Sequence, residues 1–192
     1  LPFEATGACQ AVRRGVQRLT VLQCARMSRS HGPRLPAALV ERLSQRDLPA
    51  RLGVALPFVT VDREGRPHAM LLSYLEVRAY DGGTLGVVMQ ARSTSARNLA
   101  ERHAGTLLIL EPDAVMYVKT RAVDGPLEVP GGEGLGLGYF LLGVEAVLED
   151  AAADWEGGMR ITGAVTYAPP PDLDAAWARA TLAALAAPRA RA

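Results

Sequence analysis

The sequence predicts a mainly β protein: an antiparallel barrel of six to seven strands, with short flanking helices at the N-terminus, after the third strand and at the C-terminus. Short apolar runs of strand length recur between turns rich in Gly, Asp and Pro. Only brief stretches follow a helical period, and closure into a barrel is how such short strands hide their edges. The chain has 192 residues, 49% apolar and 21% charged, which is enough for the core of one domain. No apolar run approaches the ~20 residues of a bilayer span.

In chain order, residues 35–46 begin with Pro36 in a first-turn position and place Leu39, Val40 and Leu43 at helical spacing. They are expected to form a helix that lids an open barrel end. Residues 52–61 form a nearly continuous apolar strand, and the DREGRP turn with Gly65 makes the hairpin. The returning strand, 68–80, ends in alternation, Glu76 and Arg78 against Val77 and Ala79. After Asp81-Gly82-Gly83 come strands at 84–90, 106–110 and 115–123. Residues 139–148 alternate with Phe140, Leu142, Val144, Ala146 and Leu148 on one face, and 160–166 are expected to be the last strand. Asp172 then caps a helix over 173–187 whose stripe is Leu173, Trp177, Ala180, Ala184 and Leu185.

Charge is unevenly placed. Residues 1–40 hold six Arg and one acid, +5 against a chain total of +1, which leaves residues 41–192 at −4. A mildly acidic core gains little from counterion release, so nucleic acid is not an expected partner. Cys9 and Cys24 lie outside the expected core, and His31, His68 and His103 stand alone, so neither a disulfide framework nor a structural metal is expected. The apolar stretch 19–22 is too short for an export signal. Residues 1–34 are therefore expected to be a disordered or misassigned extension with Met27 as the true start, residues 35–192 the domain, and the compartment cytoplasmic.

The chemistry is expected in residues 90–99, where hydroxyls pass into a helix. Ser93, Thr94 or Ser95 can cap that helix and leave its first N–H groups free for an anion. Arg97 falls in the first turn, where a cation opposes the helix dipole unless something negative is bound beside it. Its planar fork suits a phosphate. An ordinary cap followed by a solvated arginine is the competing interpretation.

The order of motifs favours the anion site. A Gly65-Arg66-Pro67 turn, an apolar strand, and then Ser95-Ala96-Arg97-Asn98-Leu99 after the third strand resemble the FMN-binding split-barrel family, the pyridoxamine 5′-phosphate oxidase-like proteins. The resemblance spans roughly residues 48–148. It implies a split barrel over 35–192 that holds FMN in a groove shared by two subunits of a homodimer. His68, Met70, Leu71, Leu72 and Ser73 would line the ring, chiefly through backbone, and Gln90, Ser93, Thr94, Ser95, Arg97 and Asn98 would hold the phosphate and ribityl chain. The motif is compressed relative to the family's, which leaves open which hydroxyl meets the phosphate.

The implied activity is an FMN-dependent oxidoreductase acting on a small molecule, since flavin chemistry needs positioning rather than a protein nucleophile. The alternative is a non-catalytic carrier or sensor of flavin, haem or a deazaflavin. The Ala-rich C-terminal helix departs from the Arg and His that true pyridoxamine-phosphate oxidases carry there. The glycine run 131–138 lacks a Walker lysine or a following helix and is expected to be a connector. Tyr117 and Lys119 share a strand face, and Trp155 either packs or reaches a neighbouring subunit's flavin.

Overall fold

The computed structural model describes residues 28–150 and 158–190. Its elements are β1 (Ser28–Gly32), α1 (Ala37–Arg42), α2 (Leu48–Arg51), β2 (Ala55–Val61), β3 (Pro67–Ser73), β4 (Val77–Ala79), β5 (Thr84–Gln90), α3 (Thr94–Arg102), β6 (Ala104–Glu111), β7 (Ala114–Glu128), β8 (Leu137–Asp150) and α4 (Ala176–Leu185). The strands form one antiparallel sheet in the order β3-β2-β6-β7-β8-β5-β4, and β1 adds to β8. With β3 and β4 at its two ends, the sheet is an antiparallel half-barrel with short helices around it, the predicted fold class. Among the described residues no helix is long and apolar enough to cross a membrane.

Alternation builds the core. In β6 every second residue is buried, and Leu107 and Ile109 meet Leu56, Phe58 and Val118 from the neighbouring strands. Gly105 is required here, because a Cβ at this position would lie 2.4 Å from the Phe58 ring. α3 packs on β2 through Ala96 and Leu99, and α4 covers β5 with Ala180, Ala184 and Leu185.

Several expectations change. The strand expected over 68–80 breaks at Ser73, where Glu76 N–H bonds the Ser73 carbonyl, and β4 pairs with β5 instead of continuing along β2. Gln45 holds the break: its Nε2 donates to the carbonyls of Tyr74, Leu75 and Val77 at 3.0, 2.9 and 3.2 Å. Gln45 itself has φ 64°, and the expected 35–46 helix is shortened to α1, with α2 a separate turn beyond it.

In β8 a bulge skips Glu145, so Thr120 faces Val144 while Lys119 faces Ala146. The bulge turns the strand over, and the core takes Val147 rather than Ala146 and Leu148. Residues 160–166 form no strand beyond a single bridge from Thr166 to Val54. β6 occupies the second edge of β2 from Phe58 onward, so only the beginning of β2 is left to receive them.

Asp172 does not cap α4. Its carboxylate accepts from Asp174 N–H, and Ala175 is the N-cap. The sheet also begins earlier than expected, since Ser28–Gly32 pairs with β8 inside the segment read as an extension. Residues 1–27 of that segment, with both cysteines and Met27, lie outside the described residues, as does Trp155.

Candidate functional site

α3 starts where the sequence places it, for a local reason. Ser93 is extended (φ −65°, ψ 157°), and its Oγ accepts from Ala96 N–H at 3.1 Å, which makes it the N-cap. That bond satisfies one donor of the first turn. The N–H groups of Thr94 and Ser95 have no partner among the described residues. Ser95 Oγ is also buried without a partner. Two backbone donors and one hydroxyl thus stand without partners within one turn, and the buried hydroxyl left unpaired costs on the order of 1–3 kcal/mol.

The charges around this turn are sorted. Arg97, Thr94 and Asn98 border a cleft of about 300 Å³ shared with Asp62, Arg63, Glu64 and Glu101. Each of its acids already has a cation. Arg63 grips Glu101 through Nε at 2.7 Å and Nη2 at 2.5 Å, and Arg66 pairs with Asp62 at 3.0 Å and Glu64 at 2.9 Å. The bond from Arg63 holds the Glu101 carboxyl below its ordinary range, and the backbone N–H of Arg66 does the same for Asp62. Arg97 makes no ion pair among the described residues. Its guanidinium reaches only Thr94 Oγ1, at 3.4 Å. Exposed Arg92 likewise has no ion pair among the described residues.

The other predicted residues divide. Asn98 is 3% exposed, and its amide donates to Thr60 Oγ1 at 3.1 Å, so that group ties α3 to β2. Gln90 donates to the Leu135 carbonyl at 3.1 Å and is fixed to the glycine-rich connector between β7 and β8. On β3, His68, Met70 and Leu72 stand opposite Thr60, Phe58 and Leu56, all fully buried, so these side chains share the core face. Leu71 points the other way and is 47% exposed, while Ser73 is occupied with Glu76. β3 pairs only with β2, which leaves its outer backbone edge open. Ser93, Thr94, Ser95 and Arg97 therefore come together, whereas the β3 residues could meet a ligand mainly through backbone.

One charged cluster escaped the sequence. Glu111 is 7% exposed, yet it accepts from Tyr74 and Arg51 and lies 3.1 Å from Arg42, whose other nitrogen bonds Asp113. Arg42 Nη1 meets Glu111 as an ion pair at an angle too poor for a hydrogen bond. Arg51 stacks over Tyr74 at 5.3 Å. Burial, and then the bond to Glu111, push the Tyr74 phenol well above its ordinary range. Glu111 ends a regular alternating strand and carries no local mark of these partners.

No family model matches the chain, and neither does any curated protein. Among solved structures it is similar to an FMN-binding protein from Syntrophomonas wolfei subsp. wolfei, at 14% identity over 60% of this chain and 88% of that one, with a TM-score of 0.47. It is also similar to a Lactobacillus delbrueckii protein provisionally described as a pyridoxamine 5′-phosphate oxidase, at 14% identity, 61% and 95% coverage and TM-score 0.47. HupZ of Group A Streptococcus aligns at 11% identity, 69% and 100% coverage and TM-score 0.45. These values describe a distant likeness of chain path, and the chemistry of the site is read from its own residues.

Proposed function

We propose that the chain is an FMN-dependent oxidoreductase of the pyridoxamine-phosphate-oxidase-like type, a cytoplasmic homodimer acting on a small molecule. The start of α3 carries this: two N–H groups without partners among the described residues, and Arg97, which makes no ion pair among them, stand where the helix dipole favours negative charge, with the partnerless Ser95 hydroxyl buried beneath. These donors fit a phosphate monoester. The bound flavin would supply the electron transfer. Thr94 and Ser95 N–H orient the phosphate, Arg97 neutralises it, and the open edge of β3 offers backbone groups to the ring. Asn98 and Gln90 act by fixing the helix and the connector, since their amides are already committed.

The outer face of the sheet supports the dimer. Val59 lies beside Thr106, and Leu108, Tyr117 and Leu148 pair across β6, β7 and β8, all half-buried on the face away from the core. Leu108→Glu should shift the protein from dimer to monomer in sedimentation velocity, because a charge at the centre of such an interface is left unpaired.

FMN titration followed by absorbance and fluorescence tests the phosphate site. FMN should bind far better than riboflavin, and Arg97→Ala should remove most of that difference. Equal binding of the two flavins would return Arg97 to the role of a solvated side chain. Bleaching of the bound flavin by NAD(P)H would support the enzyme, whereas a Soret band in the purified protein would indicate haem handling instead.

A further inference from the structure

A second cavity, of about 310 Å³, lies away from α3 between β3, the segment 165–171 and α4. It is lined by Leu71, Ser73, Glu76, Tyr167, Pro169, Pro171 and Trp177. The segment is seated firmly: Tyr167 N–H bonds the Gly53 carbonyl at 2.7 Å, Ala55 N–H bonds the Val165 carbonyl at 2.8 Å, and a Cβ on Gly53 (φ 89°) would lie 3.3 Å from Pro170 and from the Tyr167 carbonyl. The cavity is thus held open by backbone contacts.

Its walls are aromatic, prolyl and aliphatic, and its one ionisable carboxyl is Glu76. Two bonds reach that carboxyl, from Ser73 N–H and Ser73 Oγ, both at 2.8 Å and both on Oε2. They explain Glu76 as the clasp of the turn between β3 and β4. They leave Oε1 without a partner among the described residues, and no Lys or Arg lines the cavity. Burial raises the Glu76 carboxyl above its ordinary range despite the Ser73 bonds, and the nearby carboxylate raises the Tyr167 phenol after burial does. A half-buried carboxylate without a cation beside it favours one, and aromatic walls add to the attraction. Leu71 and Tyr167, 47% and 38% exposed, leave the mouth apolar.

We infer that this cavity binds a small organic ammonium ion with an apolar body, its charge on Glu76 and its body against Trp177, Tyr167 and Leu71. The site needs no flavin, although Leu71 and Ser73 are also among the residues expected along the ring. Calorimetric titration of the full chain with 2-phenylethylamine and with neutral 2-phenylethanol, each with and without FMN, tests it. The amine should bind at least about tenfold tighter than the alcohol. Glu76→Gln, which retains an acceptor for Ser73, should abolish that preference without lowering the melting temperature, and Trp177→Ala should weaken both probes. Equal affinity for amine and alcohol, a preference that survives Glu76→Gln, or no binding of either at millimolar concentration would overturn the inference. Failure of FMN to bind while the amine preference persists would remove the flavin proposal and leave this one standing.

Discussion

Arginine stands in two opposite settings in this fold. At Glu111, two arginines and a tyrosine gather on one buried carboxylate, with exposed Asp113 on the outer side of Arg42, in a knot that joins α1, α2, the β3–β4 turn and the end of β6. At the start of α3, Arg97 is exposed, makes no ion pair among the described residues, feels Glu101 only at longer range, and sits beside donors that also lack partners there. Cations saturated within the protein hold the fold, and a cation left over beside a helix N-terminus is available to a ligand.

The contrast can be broken most forcefully at its centre. Glu111→Ala leaves Arg42, Arg51 and Tyr74 without their common acceptor and should cost about 3–5 kcal/mol in urea unfolding. Arg97→Ala should leave the unfolding midpoint in place, because an exposed side chain without ion pairs contributes within about 0.5 kcal/mol. It should instead lower FMN affinity about tenfold or more, the loss of a charge-assisted bond of about 1.5–3 kcal/mol. Matching losses of stability at both sites would erase the distinction.

Asn98→Ala sharpens it further. The buried bond to Thr60 should be worth about 1–2 kcal/mol of stability, with a smaller effect on FMN than Arg97→Ala produces. The smallest effect is expected at Glu76, and it depends on pH. Its folded carboxyl titrates above the unfolded value of about 4.3, so its stabilising contribution is complete below that pH and is lost as pH rises through the folded value. Glu76→Gln should therefore match the wild type near pH 4 and become the more stable of the two at pH 8 in thermal melts.

What the sequence showed was local. A hydroxyl cap drawn from Ser93, Thr94 or Ser95, the helix after the third strand and the Asp62 to Arg66 turn depend on residues within four positions of one another, and the structure forms all three, with Ser93 as the cap. What it concealed is long-range. The break after Ser73 is held by Gln45, about thirty residues upstream. The reversal of β8 depends on how it pairs with β7, and the place of residues 160–166 on whether β6 has already taken the edge of β2. Asn98 looked like a ligand residue because its motif is local, while Thr60, which occupies its amide, is 38 residues away. Glu111, its two arginines and Tyr74 meet from four separate parts of the chain, so no window of sequence contains them together.

β1 has an importance beyond its five residues. β5 covers one flank of β8 from Leu137 to Gly143, and β1 takes over that same flank from Val147 to Asp150, fastened by Arg29 and His31 to Glu149 at 3.0 and 2.8 Å. Without β1 the end of the longest central pairing would present a bare ladder of N–H and C=O groups, a template on which strands of other molecules could align. The opening strand of the described chain thus guards the sheet against self-templating, and a chain begun after Gly32 should scatter light on mild warming well before its core unfolds.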